Sequence, residues 1–254
     1  MIREFIRNSL IELGLYYSYL DQKFYRLDNN QAQREFYKNI IRADALVFDI
    51  GANRGQRSKI FSDIGAKVVA FEPQSYCISH LKSRFRRNEK VKIREIALGS
   101  SKRIETMYTS DFDTISTLSK NHRDQFAKKV FKEAKWDKTI KVPISTLDHE
   151  ISIHGKPDFV KIDVEGYEYE VIKGLSEPIK CISFEFTPME RVFEPTINSI
   201  QYLTRLSSKY RFNYSLGEDL EFELDSNISG EELLRMKSFR NASNFGDVYA
   251  ILEE

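Results

Sequence analysis

At 254 residues the chain is long enough to bury a full α/β core, and a formal charge of +1 argues against a nucleic-acid binder that works through net positive charge. Cys77 and Cys181 are the only cysteines, far apart and without metal or redox spacing, so a reduced cytoplasmic setting is the default. No apolar run approaches the length that spans a bilayer.

The apolar start (Ile2, Phe5, Ile6, Leu10) is interrupted by Arg3, Glu4, Arg7 and Glu12, which argues against a signal peptide. Apolar residues at helical intervals predict one amphipathic helix over Ile2 to Leu20, followed by a polar stretch to Asn39. Residues 1–44 are read as a helical cap, and 45–254 as one α/β domain. From Leu46 the signals alternate in the βα manner. Leu46-Val47-Phe48 is a buried-strand run that ends in Asp49, and Gln56 opens a helix. Val68 to Phe71 is a second strand ending in Glu72-Pro73, and Gln74 to Arg87 is its helix. Val91 to Leu98 reads as a third strand closed by Gly99. Between it and the fourth strand, Asp158 to Val164, lies an insertion, Ser100 to Ile153, with a lysine-rich helical piece from Lys120 to Lys138. A helix to Gly174, a fifth strand at Cys181 to Phe186 and a helix around Ile197 to Lys209 follow. Tyr210 to Leu216 and Val248 to Leu252 are a closing antiparallel pair. The spacing predicts a mostly parallel sheet with helices on both faces.

The turn at 49–56, Asp-Ile-Gly-Ala-Asn-Arg-Gly-Gln, carries the most information. Glycines at a strand-to-helix turn let backbone approach a ligand, but an acid before the first glycine is repulsive to a pyrophosphate. Asp49 suits a ligand bearing an ammonium or a sulfonium, which points to S-adenosylmethionine. Asn53 stands where a glycine is commoner; it tolerates left-handed backbone, and its amide is in reach of the ligand's carboxylate. Glu72, about twenty residues after the turn, is placed to accept hydrogen bonds from a ribose diol. Because ligands sit beyond the carboxyl ends of parallel strands, Asp49, Glu72, Asp163 with Glu165, and Glu185 are expected on one rim. Glu168 reads as a helix N-terminal acid. Glu185, in a strand of buried character, must either occupy its open end or have a partner. The four histidines show no ligand spacing, although His149 and His154 flank a segment that reaches towards the rim. The lysine-rich piece is either a solvated face or a recognition surface for an anionic acceptor.

These residues resemble the FkbM family of S-adenosylmethionine-dependent methyltransferases. The resemblance rests on Phe-Asp-Ile-Gly-Ala-Asn-Arg-Gly at 48–55, Ala-Phe-Glu-Pro at 70–73, Ile-Ala-Leu-Gly at 96–99, Ser-Thr-Leu-Asp at 145–148 and Phe-Val-Lys-Ile-Asp-Val-Glu-Gly-Tyr-Glu at 159–168. It implies a class I methyltransferase fold, Rossmann-like, of seven strands with the last inserted antiparallel. It also implies O-methylation of a sugar, glycan or natural-product hydroxyl. The implied cofactor set is Asp49, Gly51, Ala52, Asn53, Gly55, Gln56, Glu72, Pro73, Ala97 (near the adenine) and Asp163 (beside the sulfonium). Asp163, Glu165 and Glu185 are the candidates for handling the acceptor's proton. No dedicated metal ligand is assigned, although the same acids would suit magnesium or calcium better than zinc. Acceptor specificity is expected in the N-terminal helix, the insertion and Ser226 to Asn244. The alternatives are a non-catalytic cofactor-binding module and a nicotinamide-dependent oxidoreductase. The acceptor is read as a small molecule or glycan, and the oligomeric state stays open.

Overall fold

The computed structural model of the chain describes residues 28–109, 117–119, 138–188, 193–217 and 220–253. The helix expected over Ile2 to Leu20, and the lysine-rich piece up to Lys135, fall outside them. The first described element is helix α1 (Asp28–Lys38), inside a stretch that reads from sequence only as polar. Polarity hides its narrow apolar stripe. Tyr37 is fully buried and meets the Phe61 ring edge-on at 4.9 Å, while Phe36 meets Tyr249 at 5.5 Å.

Two βα units and a third strand follow: β1 (Leu46–Ile50), α2 (Gln56–Asp63), β2 (Lys67–Phe71), α3 (Ser75–Phe85) and β3 (Val91–Arg94). The expected third strand is in fact two. At Arg94 the chain leaves the main sheet, and β4 (Ala97–Leu98) pairs instead with Ile144 and Ser145. Only Val91 to Arg94 keep register with β2, because Ala97 packs with Met107, Val142 and Ile144 in a separate cluster. That cluster belongs to a three-stranded sheet, β4–β6–β5, whose hairpin strands β5 (Arg103–Thr109) and β6 (Lys138–Ser145) lie in the segment read from sequence as an insertion. Helix α4 (Leu147–His154) starts at Thr146, whose hydroxyl accepts from the His149 amide at 3.2 Å.

The remaining elements are β7 (Phe159–Ile162), α5 (Glu168–Ile172), β8 (Cys181–Phe186), α6 (Glu194–Leu206), β9 (Tyr210–Leu216), α7 (Gly230–Arg235), α8 (Lys237–Arg240) and β10 (Gly246–Leu252). The main sheet has seven strands in the order β3-β2-β1-β7-β8-β10-β9. All run parallel except β10, which is antiparallel to both its neighbours. This is the class I methyltransferase arrangement that the resemblance implied, with the closing antiparallel pair where the sequence placed it.

Alternation along each strand divides the core between the two faces. Phe48, Ile50, Val160, Ile162, Ile182 and Phe184 face one cluster; Val47, Phe159 and Cys181 face the other, with Tyr37 and Phe61. Asp49, Lys161, Ser183 and Tyr249 are register partners across β1, β7, β8 and β10, so this second face carries a polar row inside the sheet.

Two residues of the β1–α2 turn show what the sequence there is for. A Cβ on Gly51 (φ +81°) would lie 1.8 Å from the Asp163 carbonyl oxygen. The first glycine therefore serves the approach of the β7 backbone, not only that of a ligand. Asn53 holds φ +49° with its own side-chain oxygen accepting from the Arg54 amide at 2.7 Å. Gly51→Ala is expected to cost about 3 kcal/mol or more, from left-handed strain plus a backbone clash, whereas Asn53→Gly stays within about 1 kcal/mol. Urea unfolding reads both; an unshifted midpoint for Gly51→Ala contradicts the assignment.

Candidate active site

The parallel strands β1, β2, β7 and β8 end on one edge of the sheet, and their terminal acids gather there as the sequence predicted. Asp49 is 2% exposed, and the Ser58 hydroxyl of α2 donates to its carboxylate. Burial pushes its carboxyl up to about 6, opposed by the Ser58 hydrogen bond and the nearby Lys161 charge.

Glu72 is also buried. Its two carboxylate oxygens accept from the backbone amides of Asn53 at 2.9 Å and Gln74 at 2.8 Å. Each carboxylate oxygen can accept more than one hydrogen bond. The rest of the turn is closed on itself. The amides of Gly51 and Ala52 both donate to the Phe71 carbonyl at 3.0 Å, and Gly55 donates to Ala52 at 2.8 Å. Together with the Asn53 and Arg54 amides, every backbone N–H from Gly51 to Gly55 is thus engaged within the protein. The glycines therefore shape the turn without leaving one of these amides uncommitted. The Asn53 side-chain oxygen is likewise engaged, by the Arg54 amide.

On the other side of the rim, carboxylate oxygens of Asp163, Glu165 and Glu185 all lie within 4.8 Å of one another. Glu165 (φ +54°) and Gly166 (φ +85°) form a left-handed kink immediately after β7. Two neighbours brace it. The Glu168 carboxylate accepts from the amides of Val164 at 3.2 Å and Gly166 at 3.1 Å. From the insertion, the Thr117 hydroxyl donates to the Glu165 carbonyl at 2.6 Å. Burial raises the carboxyls of both Glu165 and Glu185 well above the ordinary range, and neighbouring carboxylates, Asp163 first, add to it. Burial likewise raises Glu168 to about 7, against the hydrogen bonds from its own amide and those of Gly166 and Val164. Glu168 is therefore more than the helix-terminal acid read from sequence. A pocket opens beside these acids, lined by Gly166, Glu168, Glu185, Phe186, Thr187, Pro195 and Thr196.

Lys161 is what sequence reading missed. It is 1% exposed in mid-sheet, donates to Asp247 at 2.8 Å and lies 3.5 Å from Asp163. The signal was present as a lysine between apolar residues of a strand buried on both faces, which requires a partner. Burial alone would lower its ammonium's pKa, but Asp163 and Asp247 outweigh that and hold it up. Gln56 opens α2, Pro73 follows Glu72, and Ala97 packs in the small sheet. His154 contacts Glu150 at 3.5 Å and the Phe48 ring edge-on, so it is held by the core and not by the acid group.

Residues 49–214 match the Methyltransferase FkbM domain. The chain belongs to that family. The match begins at Asp49 and takes in the FkbM blocks read from sequence between there and Glu168, so this chain is a methyltransferase by family. No curated protein matches it. Among solved structures, a TehB-like S-adenosylmethionine-dependent methyltransferase from Corynebacterium glutamicum is 9% identical, covering 94% of this chain and 98% of that one, with a TM-score of 0.46. An rRNA methylase from Streptococcus thermophilus is 10% identical over 87% and 95%, with a TM-score of 0.46. A precorrin-6y C5,15-methyltransferase from Geobacter metallireducens is 12% identical over 87% of each chain, with a TM-score of 0.45. Among the described residues of this FkbM methyltransferase, no helix is long and apolar enough to cross a membrane.

The raised carboxyls give a stability prediction with a definite sign. Where the folded pKa of Glu185 exceeds its unfolded value, the native state binds the extra proton, so stability falls as pH rises through that window. Glu185→Gln should therefore melt higher than wild type at pH 8, and the gain should shrink at pH 5. A gain that is equal at both pH values, or a loss at pH 8, contradicts a buried charge at Glu185.

Proposed function

We propose that the protein is an S-adenosylmethionine-dependent O-methyltransferase acting on a hydroxyl of a sugar, glycan or natural product. One observation carries the donor assignment. The β1–α2 turn offers no uncommitted amide from Gly51 to Gly55, while buried or half-buried acids stand at the ends of β1, β2, β7 and β8. A pyrophosphate needs the amides and is repelled by the acids; an adenosyl donor with a sulfonium and an ammonium suits the reverse. The same observation weighs against a nicotinamide cofactor.

The chemistry of the donor set fits this group. Glu72 would take the ribose hydroxyls, Asp49 and the turn at 51–56 the methionine end, and Pro73 and Ala97 the adenine side. Asp163 would face the sulfonium. Bound there, S-adenosylmethionine supplies an electrophilic methyl group. The chain's own task is alignment of the acceptor oxygen with that methyl, and positioning of this kind is worth roughly 7–11 kcal/mol in well-oriented systems. Glu185 lines the pocket beside the rim, and burial raises its carboxyl, which makes its carboxylate a stronger proton acceptor than an exposed glutamate. We assign it to the acceptor hydroxyl's proton, with Glu165 and Asp163 next to it. A second reading, activation of the hydroxyl by a divalent cation on the same three acids, rests on the span of their oxygens. Turnover that is lost in EDTA and restored by magnesium would favour the second.

Calorimetry should show S-adenosylmethionine binding to wild type, weakened about tenfold or more by Asp49→Ala and by Glu72→Ala, as for loss of a charge-assisted contact. The Asp49 carboxyl, at about 6, should make wild-type affinity for this cationic ligand fall as pH drops through that value. Asp49→Asn should remove that part of the profile. Unchanged affinity in both alanine variants removes the site assignment.

A further inference from the structure

Lys161 lies outside every role assigned so far, yet it is the cation nearest the acid group among the described contacts. Its ammonium is bound on both sides. Asp247, at the start of β10, accepts from it at 2.8 Å and is itself 7% exposed. Asp163, at the rim, stands 3.5 Å away with a side chain 40% exposed. The antiparallel course of β10 brings Asp247 to this edge, where it is the register partner of Glu185. One side of the lysine is therefore anchored in the core, and the other holds an acid that has room to turn away into solvent.

We propose that Lys161 is a positioning residue for methyl transfer: anchored by Asp247, its ammonium fixes the Asp163 carboxylate at the rim, facing the place of the sulfonium. The inference rests on the donor site proposed above. A buried lysine whose only task were neutralisation would need Asp247 alone. The second contact sets the direction of Asp163, since a side chain that is 40% exposed, beside the oxygens of Glu165 and Glu185, can turn into solvent unless something holds it. Release of that hold swings Asp163 away, and the loss falls on a ligand's positive charge more than on the rest of the ligand.

That asymmetry is the readout, because S-adenosylmethionine carries the sulfonium and S-adenosylhomocysteine does not. Calorimetric affinities for both are measured on wild type, Lys161→Met, Asp163→Asn and the double variant Lys161→Met/Asp163→Asn. Lys161→Met should reduce the affinity ratio of S-adenosylmethionine to S-adenosylhomocysteine about fivefold, the order of one partly exposed charge pair. Asp163→Asn should do the same, and the double variant should fall no further. Lys161→Met leaves Asp247 buried without its partner; where it fails to fold, Lys161→Met/Asp247→Asn, which removes both charges of the buried pair, takes its place. A variant that loses both affinities by the same factor, with the ratio kept, overturns the proposal and leaves Lys161 a structural residue. An unchanged ratio in Asp163→Asn overturns the role of Asp163 and the proposal with it. Failure of wild type to bind either ligand sinks the donor site itself.

Discussion

A charge inside a parallel sheet has to be answered from within the sheet, and in this protein that requirement organises the rim. Lys161 occupies the centre of β7, the strand next to β1, with 1% of its surface exposed. Parallel strands deliver their terminal acids to one edge only, so Asp163 and Glu185 arrive together. A further parallel strand would have brought its first residues to the far edge. Because β10 runs the other way, its beginning lies at the rim, and Asp247 completes the pair with Lys161. Topology and electrostatics are thus one arrangement seen twice.

The same rim stores unfavourable energy. Burial raises Asp49, Glu165, Glu168 and Glu185, and the neighbouring Asp163 carboxylate adds to all four. Groups so perturbed and so close are costly to the fold, and sites of this kind cluster where chemistry is done. Their geometry survives because each turn is braced: the β1–α2 turn by its own amides and Glu72, and the kink at Glu165 by Glu168 and Thr117. The small sheet takes part in this bracing. Arg103 on β5 donates to the Tyr167 hydroxyl at 2.6 Å, and Ser100 to Glu170 at 2.8 Å, so the hairpin is tied to the segment that follows β7.

Much of this is legible along the chain. Strands β1, β2, β7 and β8 are short apolar runs, each with an acid at or just past its open end, and the βα alternation fixes their direction. Where pattern and fold part, the cause is physical. Val91 to Leu98 reads as one strand because side-chain pattern does not show where hydrogen-bonding partners change, and β6 captures Ala97 and Leu98. Helix α1 was hidden by its polar residues, since Tyr37 alone carries much of its burial. The glycines at 51 and 55 were legible as a turn but not for their reason: at Gly51 it is the Asp163 carbonyl, and at Gly55 the Leu81 and Phe85 side chains, that exclude a Cβ. The Lys161–Asp247 pair joins residues far apart in sequence, and no local pattern announces such a contact.

The proposed chemistry requires an adenosyl donor lying against the loop between β1 and α2, with its positive end towards Asp163. A crystal structure of the protein with S-adenosylhomocysteine tests this most directly. The ribose hydroxyls should lie within about 3 Å of a Glu72 carboxylate oxygen, and the thioether sulfur on the Asp163 side of the turn. A nucleoside seated elsewhere on the sheet, with Glu72 untouched, would contradict it.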